Sequence, residues 1–344
     1  MRTIKVGTRQ SALALTQTGQ VVDRLKQLAE ASGIECRFEI VKIVTKGDRI
    51  LDVTLSKVGG KGLFVKEIEQ ALLSGEIDMA VHSMKDVPSV RQNGLVLGAV
   101  PKRADARDCL IARKASSLEE LPQGARVGTS SLRRQAQLLA HRPDLRVEPV
   151  RGNIDSRLRK LESEGFDAIL LAAAGLIRMG WTDRISGYLP PDVSIPAVGQ
   201  GALGIECRVD DGFMRELLAL LQHEPTALAV RAERSFLGRL NGGCQVPIGA
   251  YAVLADEGEG STTGGDMSDQ APNGLPPLSV DTAPLIRLTG VIGRPDGSEL
   301  FTETASGTDP ERLGREVAET LLIRGGDRIL ADYQKEVSGF EEDP

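Results

Sequence analysis

A cysteine on a glycine-loosened loop is the first feature that could carry chemistry. Cys244 follows Asn241-Gly242-Gly243, directly after a predicted helix. Glycines widen the conformations open to a loop, so the sulfur can reach the surface. A reachable thiol, together with the many arginines upstream, predicts a covalently held group that carries several carboxylates. A structural cysteine is the alternative, because the exposure and positive surroundings that favour a thiolate are not visible in a sequence.

The first predicted anion site combines hydroxyls and arginines at the start of a helix. It consists of Thr129, Ser130, Ser131, Arg133 and Arg134. A helix N-terminus has unpaired N–H groups and a partial positive charge, which attract carboxylates. The alternative is ordinary helix capping by a serine, with both arginines in solvent. Arg9 and Ser11 stand at the matching place after the first predicted strand, and this favours binding.

A second basic segment repeats the pattern a short distance along the chain. Its candidate binding residues are Arg151, Gly152, Asn153 and Arg157. Asn153 is predicted to cap a helix on which Arg157 lies four residues along the same face. Arg151 would precede that helix at a strand end, where α/β clefts bind ligands. An exposed basic helix is the alternative.

An apolar strand running into a polar cluster supplies the candidate catalytic carboxylate. His82, Ser83, Lys85 and Asp86 fall within five residues. Asp86 is the best candidate for a general acid/base or cation stabiliser, because Lys85 and a basic cleft would keep it ionised. A structural turn is the alternative for Asp86. His82 is predicted to be buried and hydrogen-bonded, and no motif of paired metal ligands is present, so we expect no metal.

A glycine-rich stretch, Thr45–Gly62, is interpreted as a cover over the cleft. Gly59-Gly60-Lys61-Gly62 lacks the full phosphate-loop pattern, because Leu63 stands where a hydroxyl residue should follow. Lys57 and Lys61 are candidates to reach the cleft from this cover.

Composition narrows the class of protein. The chain has 344 residues and a net charge of −6, which argues against a nucleic-acid partner. Residues 126–159 nevertheless hold eight arginines against three acids, as in a receptor for a small polyanion. No apolar run approaches the roughly 18 residues of a membrane span, and no signal peptide is evident, so we expect no membrane partner. The four cysteines are far apart, which predicts a reducing cytoplasm.

An internal repeat predicts the fold class. Segments that begin at Thr3, Phe38 and Gly75 resemble segments that begin at Arg126, Arg146 and Gly165, in the same order. We therefore predict an α/β protein with two similar lobes around a cleft and a smaller α+β C-terminal domain. The predicted domains are 1–101 with 199–220, then 102–198, then 221–344. Residues 256–282, rich in glycine, serine, aspartate and proline, are predicted to be a disordered insertion.

Together these segments resemble the porphobilinogen deaminase (hydroxymethylbilane synthase) family over nearly the whole chain. The resemblance rests on seven motifs in the family's order: Val6–Ser11, Gly59–Phe64, Val81–Pro88, Gly128–Gln137, Val150–Arg157, Gly199–Cys207 and Asn241–Gly249. It implies lobes like those of periplasmic binding proteins. The insertion at 256–282 departs from the family's compact third domain, and we expect it to have no catalytic role.

The resemblance also implies an activity and a cofactor. Family members are transferases of tetrapyrrole (heme) biosynthesis that join four porphobilinogen molecules head to tail with loss of ammonia and release hydroxymethylbilane by hydrolysis. A dipyrromethane cofactor would be thioether-linked to Cys244, and Asp86 would be the catalytic carboxylate. A monomer is expected. The implied binding residues are Arg9, Ser11, Lys85, Thr129, Ser130, Ser131, Arg133, Arg134, Arg151, Arg157, Arg178 and Gln200.

Two other functions fit part of the sequence. A non-enzymatic two-lobe receptor for a polycarboxylate would explain the lobes and arginines, but not the cysteine loop or the third domain. A transferase with a cysteine nucleophile would need a base beside Cys244, and the sequence shows none.

Overall fold

The computed structural model describes residues 1–49, 65–241, 246–255 and 283–339. Cys244, Lys57, Lys61 and the predicted insertion at 256–282 lie outside the described residues. The strands are β1 (Arg2–Arg9), β2 (Cys36–Ile43), β3 (Met79–Ser83), β4 (Leu95–Ala99), β5 (Asp108–Ala112), β6 (Arg126–Gly128), β7 (Arg146–Glu148), β8 (Ala168–Ala172), β9 (Gly187–Leu189), β10 (Leu203–Arg208), β11 (Ile248–Leu254), β12 (Ile286–Gly293) and β13 (Leu300–Gly307).

The α-helices lie between these strands and at the C-terminal end of the described chain. They are α1 (Ala12–Ala31), α2 (Lys46–Arg49), α3 (Lys66–Leu73), α4 (Leu132–His141), α5 (Ile154–Ser163), α6 (Ala173–Arg178), α7 (Gly212–Ala219), α8 (Glu224–Arg239), α9 (Pro310–Leu321) and α10 (Asp327–Gly339).

The first lobe is built on a five-stranded sheet in the order β2-β1-β3-β10-β4. β1 pairs in parallel with β2 and β3, whereas β10 runs antiparallel to β3 and β4. The apolar positions Val21, Val22 and Leu25 of α1 recur at helical spacing and are buried against Ile4 and Val6 of β1. The predicted return of the chain into the first sheet is confirmed by β10.

The second lobe repeats this plan in the order β7-β6-β8-β5-β9. β6 pairs in parallel with β7 and β8, and β5 runs antiparallel to β8 and β9. β5 therefore takes the place that β10 takes in the first lobe. This correspondence confirms the predicted repeat and the predicted pair of α/β lobes.

Parallel strands in both lobes carry their polar residues at the same edge. The carboxyl end of β1 leads to Ser11, that of β3 to Asp86, and that of β6 to Ser131. Because βαβ units bring such ends to one side of a sheet, each lobe presents its hydroxyl, lysine and arginine side chains at one edge.

The third domain is a smaller α+β unit, as predicted. Its sheet is antiparallel, in the order β11-β12-β13, and α8 and α9 pack on it. Gly314 of α9 lets the two helices approach closely, since a Cβ there would stand 2.4 Å from the carbonyl oxygen of Ala232. Phe236 of α8 is fully buried in this core. The helix α8 is therefore firmly fixed in the domain.

Candidate active site

Asp86 lies on a short 3₁₀ turn, Met84–Asp86, directly after β3. The turn is tied to the returning chain, because the Met84 amide donates to the carbonyl of Ala202 at 3.0 Å. Ser83 ends the strand and donates to Oε1 of Gln17 at 3.2 Å. The predicted buried histidine is confirmed: His82 is 5% exposed and its Nε2 lies 3.2 Å from a carboxylate oxygen of Glu206.

Lys85 is the charged neighbour of Asp86 and faces the second lobe. Its pKa is lowered to about 8, chiefly by desolvation on burial, and the cation of Arg134 acts in the same direction. The carboxylates of Asp86 and Asp108 act in the opposite direction. An ammonium ion in such surroundings is stabilised by any additional carboxylate that binds beside it.

In the second lobe, the predicted hydroxyl cluster surrounds the start of α4. Ser131 is the N-cap residue, and its hydroxyl accepts from the Arg134 amide. Ser130 is exposed and donates to the carbonyl of Val150 at 2.9 Å. Thr129 is buried and accepts from the Ser131 amide at 3.2 Å. Capping is thus real here, but it does not leave the following arginines in solvent.

Arg133 and Arg134 are buried together around one carboxylate. Nη1 of Arg133 lies 2.7 Å from Oδ2 of Asp108 and 2.6 Å from the carbonyl oxygen of Ile195. Nε of Arg134 donates to Oδ1 of Asp108 at 2.9 Å, and Nη1 donates to the carbonyl of Leu170 at 3.0 Å. Arg133 therefore connects α4 to β5 and to Ile195 within the second lobe. Arg134 also lies within electrostatic reach of Lys85 and Arg157.

Asp108, the first residue of β5, is fully buried and organises this group. Ser194 and Gln200 also donate to its carboxylate, at 2.8 and 2.9 Å. Although desolvation opposes ionisation, the two arginines hold the pKa of Asp108 well below its usual range. The chain passes between the lobes twice, first at residues 100–107 and again at residues 190–202, which are called the first and second crossings. Gln200 reaches the carboxylate from the second crossing, so Asp108 joins that crossing to α4.

Arg151 and Arg157 extend the positive region on the same lobe. The pKa of Arg157 is lowered to about 10, chiefly by burial, and the cations of Arg134 and Arg151 act in the same direction. Nε of Arg157 donates to the carbonyl of Gly152 at 2.8 Å, where glycine accommodates a φ of 110°. Asn153 is the N-cap residue of α5, as expected, although its side chain makes no capping hydrogen bond.

Arg9 of the first lobe is held by a carboxylate from the start of the predicted cover. Its Nε lies 3.1 Å from Oδ1 of Asp48, and Oδ2 of the same carboxylate accepts from the Thr45 hydroxyl at 2.7 Å. Ser11 caps α1 by accepting from the Ala14 amide. Within Thr45–Gly62, residues 46–49 form the helix α2, and residues 50–64 lie outside the described part of the chain.

Arg178, at the end of α6, links the two lobes. Its Nη2 donates to the carbonyl of Gly201 at 2.6 Å, and its own carbonyl accepts from Gln20 of α1 at 3.3 Å. Burial lowers the pKa of Arg178 to about 10. The side chain thus lies where α1, α6 and the second crossing meet.

The cations of the two lobes share one electrostatic environment. Arg134 lowers the pKa of both Lys85 and Arg157, which belong to different lobes. Like charges placed within reach of one another raise the free energy of the unliganded site, and binding an anion relieves this cost. The arrangement is therefore suited to a ligand with several carboxylates.

Two aspartates of the site are absent from the sequence-based candidates. Asp108 begins an apolar strand, and Asp48 follows a Lys-Gly pair. An acid at the head of an otherwise apolar strand is the available signal for Asp108, because burial of a lone carboxylate is unfavourable without a cationic partner. Asp48 gives no comparable signal.

The described ranges contain neither a metal-binding cluster nor a membrane-spanning helix. In them, no group of three or more histidines, cysteines or carboxylates is arranged to hold a metal ion. Of the helices described, none has the length and apolar character needed to cross a bilayer.

Two descriptions from known protein families match successive parts of the chain. Residues 4–216 match the family described as "Porphobilinogen deaminase, dipyromethane cofactor binding domain". Residues 227–323 match "Porphobilinogen deaminase, C-terminal domain". The chain belongs to the porphobilinogen deaminase family. The resemblance carried by the sequence motifs is thereby confirmed.

Individual relatives match along almost their entire length. Porphobilinogen deaminase of Paenibacillus macerans is 62% identical over 94% of this chain and 98% of its own. The enzyme of Brevibacillus brevis is 55% identical over 96% of this chain and 98% of its own.

Among solved structures, a TRAP periplasmic solute binding protein from Desulfovibrio salexigens is 10% identical. The match covers 65% of this chain and 73% of that protein, with a TM-score of 0.42.

Proposed function

We propose that this porphobilinogen deaminase family member polymerises four porphobilinogen molecules on a dipyrromethane primer attached to Cys244, with Asp86 as the catalytic carboxylate. The observation that carries the proposal is the cationic group drawn from both lobes: the charge of Arg134 lowers the pKa of Lys85 in the first lobe and of Arg157 in the second. Each pyrrole of the growing chain brings two carboxylates, so substrate, primer and product are all polyanions. Near-full-length relatives at 55–62% identity support an enzyme over a non-enzymatic receptor.

The described residues fit such a primer by charge and chemistry. The carboxylates that raise the pKa of Lys85 are those of Asp86 and Asp108. Asp108 is already paired with Arg133 and Arg134. An excess of positive charge therefore remains for ligand carboxylates. Guanidinium groups suit planar, bidentate recognition of carboxylates better than ammonium groups do. When bound, the dipyrromethane would supply the nucleophilic ring carbon to which the first substrate is joined.

The chain's own contribution to the chemistry follows from the position of Asp86. As the bond from the substrate methylene carbon to nitrogen breaks and ammonia leaves, positive charge develops on the methylene-pyrrole. A preorganised carboxylate at the end of β3 would stabilise this charge. The same carboxylate would then accept the proton lost from the attacked ring carbon. Lys85 would hold a substrate carboxylate beside it.

The remaining binding roles extend the same proposal. Arg9, Ser11, Ser83, Thr129, Ser130, Ser131, Gly152, Asn153, Arg151, Arg178 and Gln200 would line the path of the pyrrole chain, with Lys57 and Lys61 reaching it from residues 45–62. Arg133 would contribute through Asp108 and by its charge. We also propose a cytoplasmic monomer that uses no metal and binds no nucleic acid, with domains 1–101 with 199–220, 102–198 and 221–344.

Intact mass measurement and one variant at each chemical position test this function. The purified protein should carry the mass of two linked pyrroles, and Cys244→Ala should lack it and be inactive. Asp86→Asn should retain the adduct and the fold while losing nearly all turnover. An unmodified but active polypeptide would reject the role of Cys244, and near-normal activity of Asp86→Asn would reject that of Asp86.

A further inference from the structure

Arg234 of the third domain contacts the loop that carries Asp86. It lies on α8, and its Nη1 donates to the carbonyl of Val87 at 3.0 Å. Its Nη2 donates to the carbonyl of Pro88 at 2.6 Å and to that of Ser89 at 3.4 Å. One guanidinium therefore binds three successive carbonyls that immediately follow Asp86.

The surroundings of Arg234 indicate a role in geometry rather than in charge pairing. Burial lowers its pKa to about 10. Within the described ranges, no carboxylate forms an ion pair with Arg234, although the charge of Glu206 acts against the lowering of its pKa. The guanidinium is held by these carbonyl groups and by a longer contact of Nη1 to the sulfur of Met84, at 3.9 Å. A partly buried cation held in this way gains little net stability, because its desolvation opposes the hydrogen bonds. Its bonds do, however, fix the path of the backbone they receive.

Asp86 depends on its backbone for orientation. Among the described residues, no hydrogen bond to its side-chain carboxylate is formed, while the backbone of its turn is bonded on both sides. The amide of Met84 is bound to Ala202 before the turn, and the Val87–Ser89 carbonyls are bound to Arg234 after it. A shift of Arg234 would therefore move the carboxylate.

The same helix leads to the cysteine. α8 ends at Arg239, five residues before Cys244, and its inner face is locked by the fully buried Phe236 and the close approach of Gly314. α8 is thus one rigid element that contacts the loop of Asp86 through Arg234 and that leads along the chain toward Cys244.

We propose that Arg234 is a positioning residue, which sets the place of Asp86 relative to the third-domain helix that leads to Cys244. This inference rests on the roles proposed above for Asp86 and Cys244. Misplacing a reacting group by about 1 Å can cost on the order of 100-fold in rate without changing how substrate binds. The expected signature is therefore a loss in kcat with little change in KM.

The experiment compares three variants of the full-length protein. Arg234→Met keeps the apolar stem but loses all three bonds, and kcat should fall about 10- to 100-fold while KM changes less than about threefold. Arg234→Lys keeps one cationic donor and should recover part of the loss. Arg231 lies on the same helix as Arg234 and forms an exposed ion pair with Glu311 of α9; Arg231→Met removes this pair, and its kcat should equal that of the wild type. Intact mass should show the pyrrole adduct in all three.

A double-variant cycle with Asp86→Glu separates positioning from general structural damage. If Arg234 acts through Asp86, Arg234→Met should cost much less in the Asp86→Glu background than in the wild type. Equal costs in both backgrounds, loss of the adduct, or unchanged kcat would overturn the inference while the proposed function stands. Near-normal activity of Asp86→Asn would overturn both. Should Arg234→Met fail to fold, Arg234→Lys is judged by the same cycle.

Discussion

At the scale of single residues, the site is organised by carboxylates that hold cations in place. Asp108 binds Arg133 and Arg134 from the centre of the second lobe, and Asp48 binds Arg9 at the edge of the first. Arginine is flexible in solution, so a side chain fixed in advance loses less entropy when it binds a ligand. Under the proposed function, these aspartates would act on ligand binding through the arginines they orient.

Asp108→Asn should destabilise the protein and reduce its acid sensitivity. Removing one partner of a buried ion pair costs roughly 3–5 kcal/mol, because the remaining charges stay desolvated. The folded-state pKa of Asp108 lies below the ordinary value of 3.8, so its contribution is present at neutral pH. It is lost as pH falls through and below that value, where the unfolded chain binds the proton first.

Urea unfolding from pH 7 to pH 3 measures both effects. The wild type should lose stability more steeply than Asp108→Asn below about pH 4. The exposed pair of Asp155 and Arg159 provides a control, since Asp155→Asn should change stability by only about 0–1 kcal/mol. Equal pH slopes in the wild type and Asp108→Asn would contradict the assignment.

At the scale of elements, the third domain packs on α4 of the second lobe. All three strands of its sheet contact this helix. Gly249 of β11 permits the closest approach, because a Cβ there would lie 2.9 Å from Cδ of Arg133, from the carbonyl oxygen of Pro196 and from a methyl carbon of Val291. The arginine that binds Asp108 is thus also part of a domain contact.

Gly249→Ala should loosen this contact. The added methyl group has no room between strand, arginine and backbone carbonyl, so we expect a loss of about 1–3 kcal/mol in unfolding free energy. Gly19→Ala is the matched control, because nothing lies within 4 Å of its added Cβ. In the middle of α1 that change should be neutral or stabilise by up to about 1 kcal/mol. Thermal unfolding measures the stability of Gly249→Ala and of Gly19→Ala. Equal stabilities of the two variants would contradict the close packing at Gly249.

Local patterns predict these elements well, and long-range partners poorly. Strand and helix periodicity indicates both lobes, and the hydroxyl and arginine residues do fall at strand ends. The partner of Arg133 could not be predicted in this way, because Asp108 lies 25 residues away and Ile195 lies 62 away. Which acid meets which arginine depends on the packing of β5 beside β8, and periodicity contains no information on that pairing.

At the scale of the whole molecule, one buried carboxylate joins all three domains. Oε1 of Glu233 on α8 accepts from Arg103 at 2.6 Å and from the Ala252 amide at 2.9 Å. Its Oε2 accepts from Arg103 at 3.1 Å and from the Gly199 amide at 2.6 Å. Arg103 belongs to the first crossing between the lobes and Gly199 to the second. Glu233 therefore ties both crossings to the third domain.

Glu233→Gln should weaken the attachment of the third domain to both crossings. The amide nitrogen of glutamine cannot accept hydrogen bonds, and Arg103 would lose its buried counter-charge, at a cost of about 3–5 kcal/mol. Hydrogen exchange should quicken at the amides of Gly199 and Ala252, because each loses its acceptor or shares a weaker one. Glu311→Gln, which breaks the exposed pair between Glu311 of α9 and Arg231 of α8, should leave both amides protected. If both variants exchange alike, the crossings are held by packing alone, and the two lobes and the third domain do not depend on this carboxylate for their arrangement.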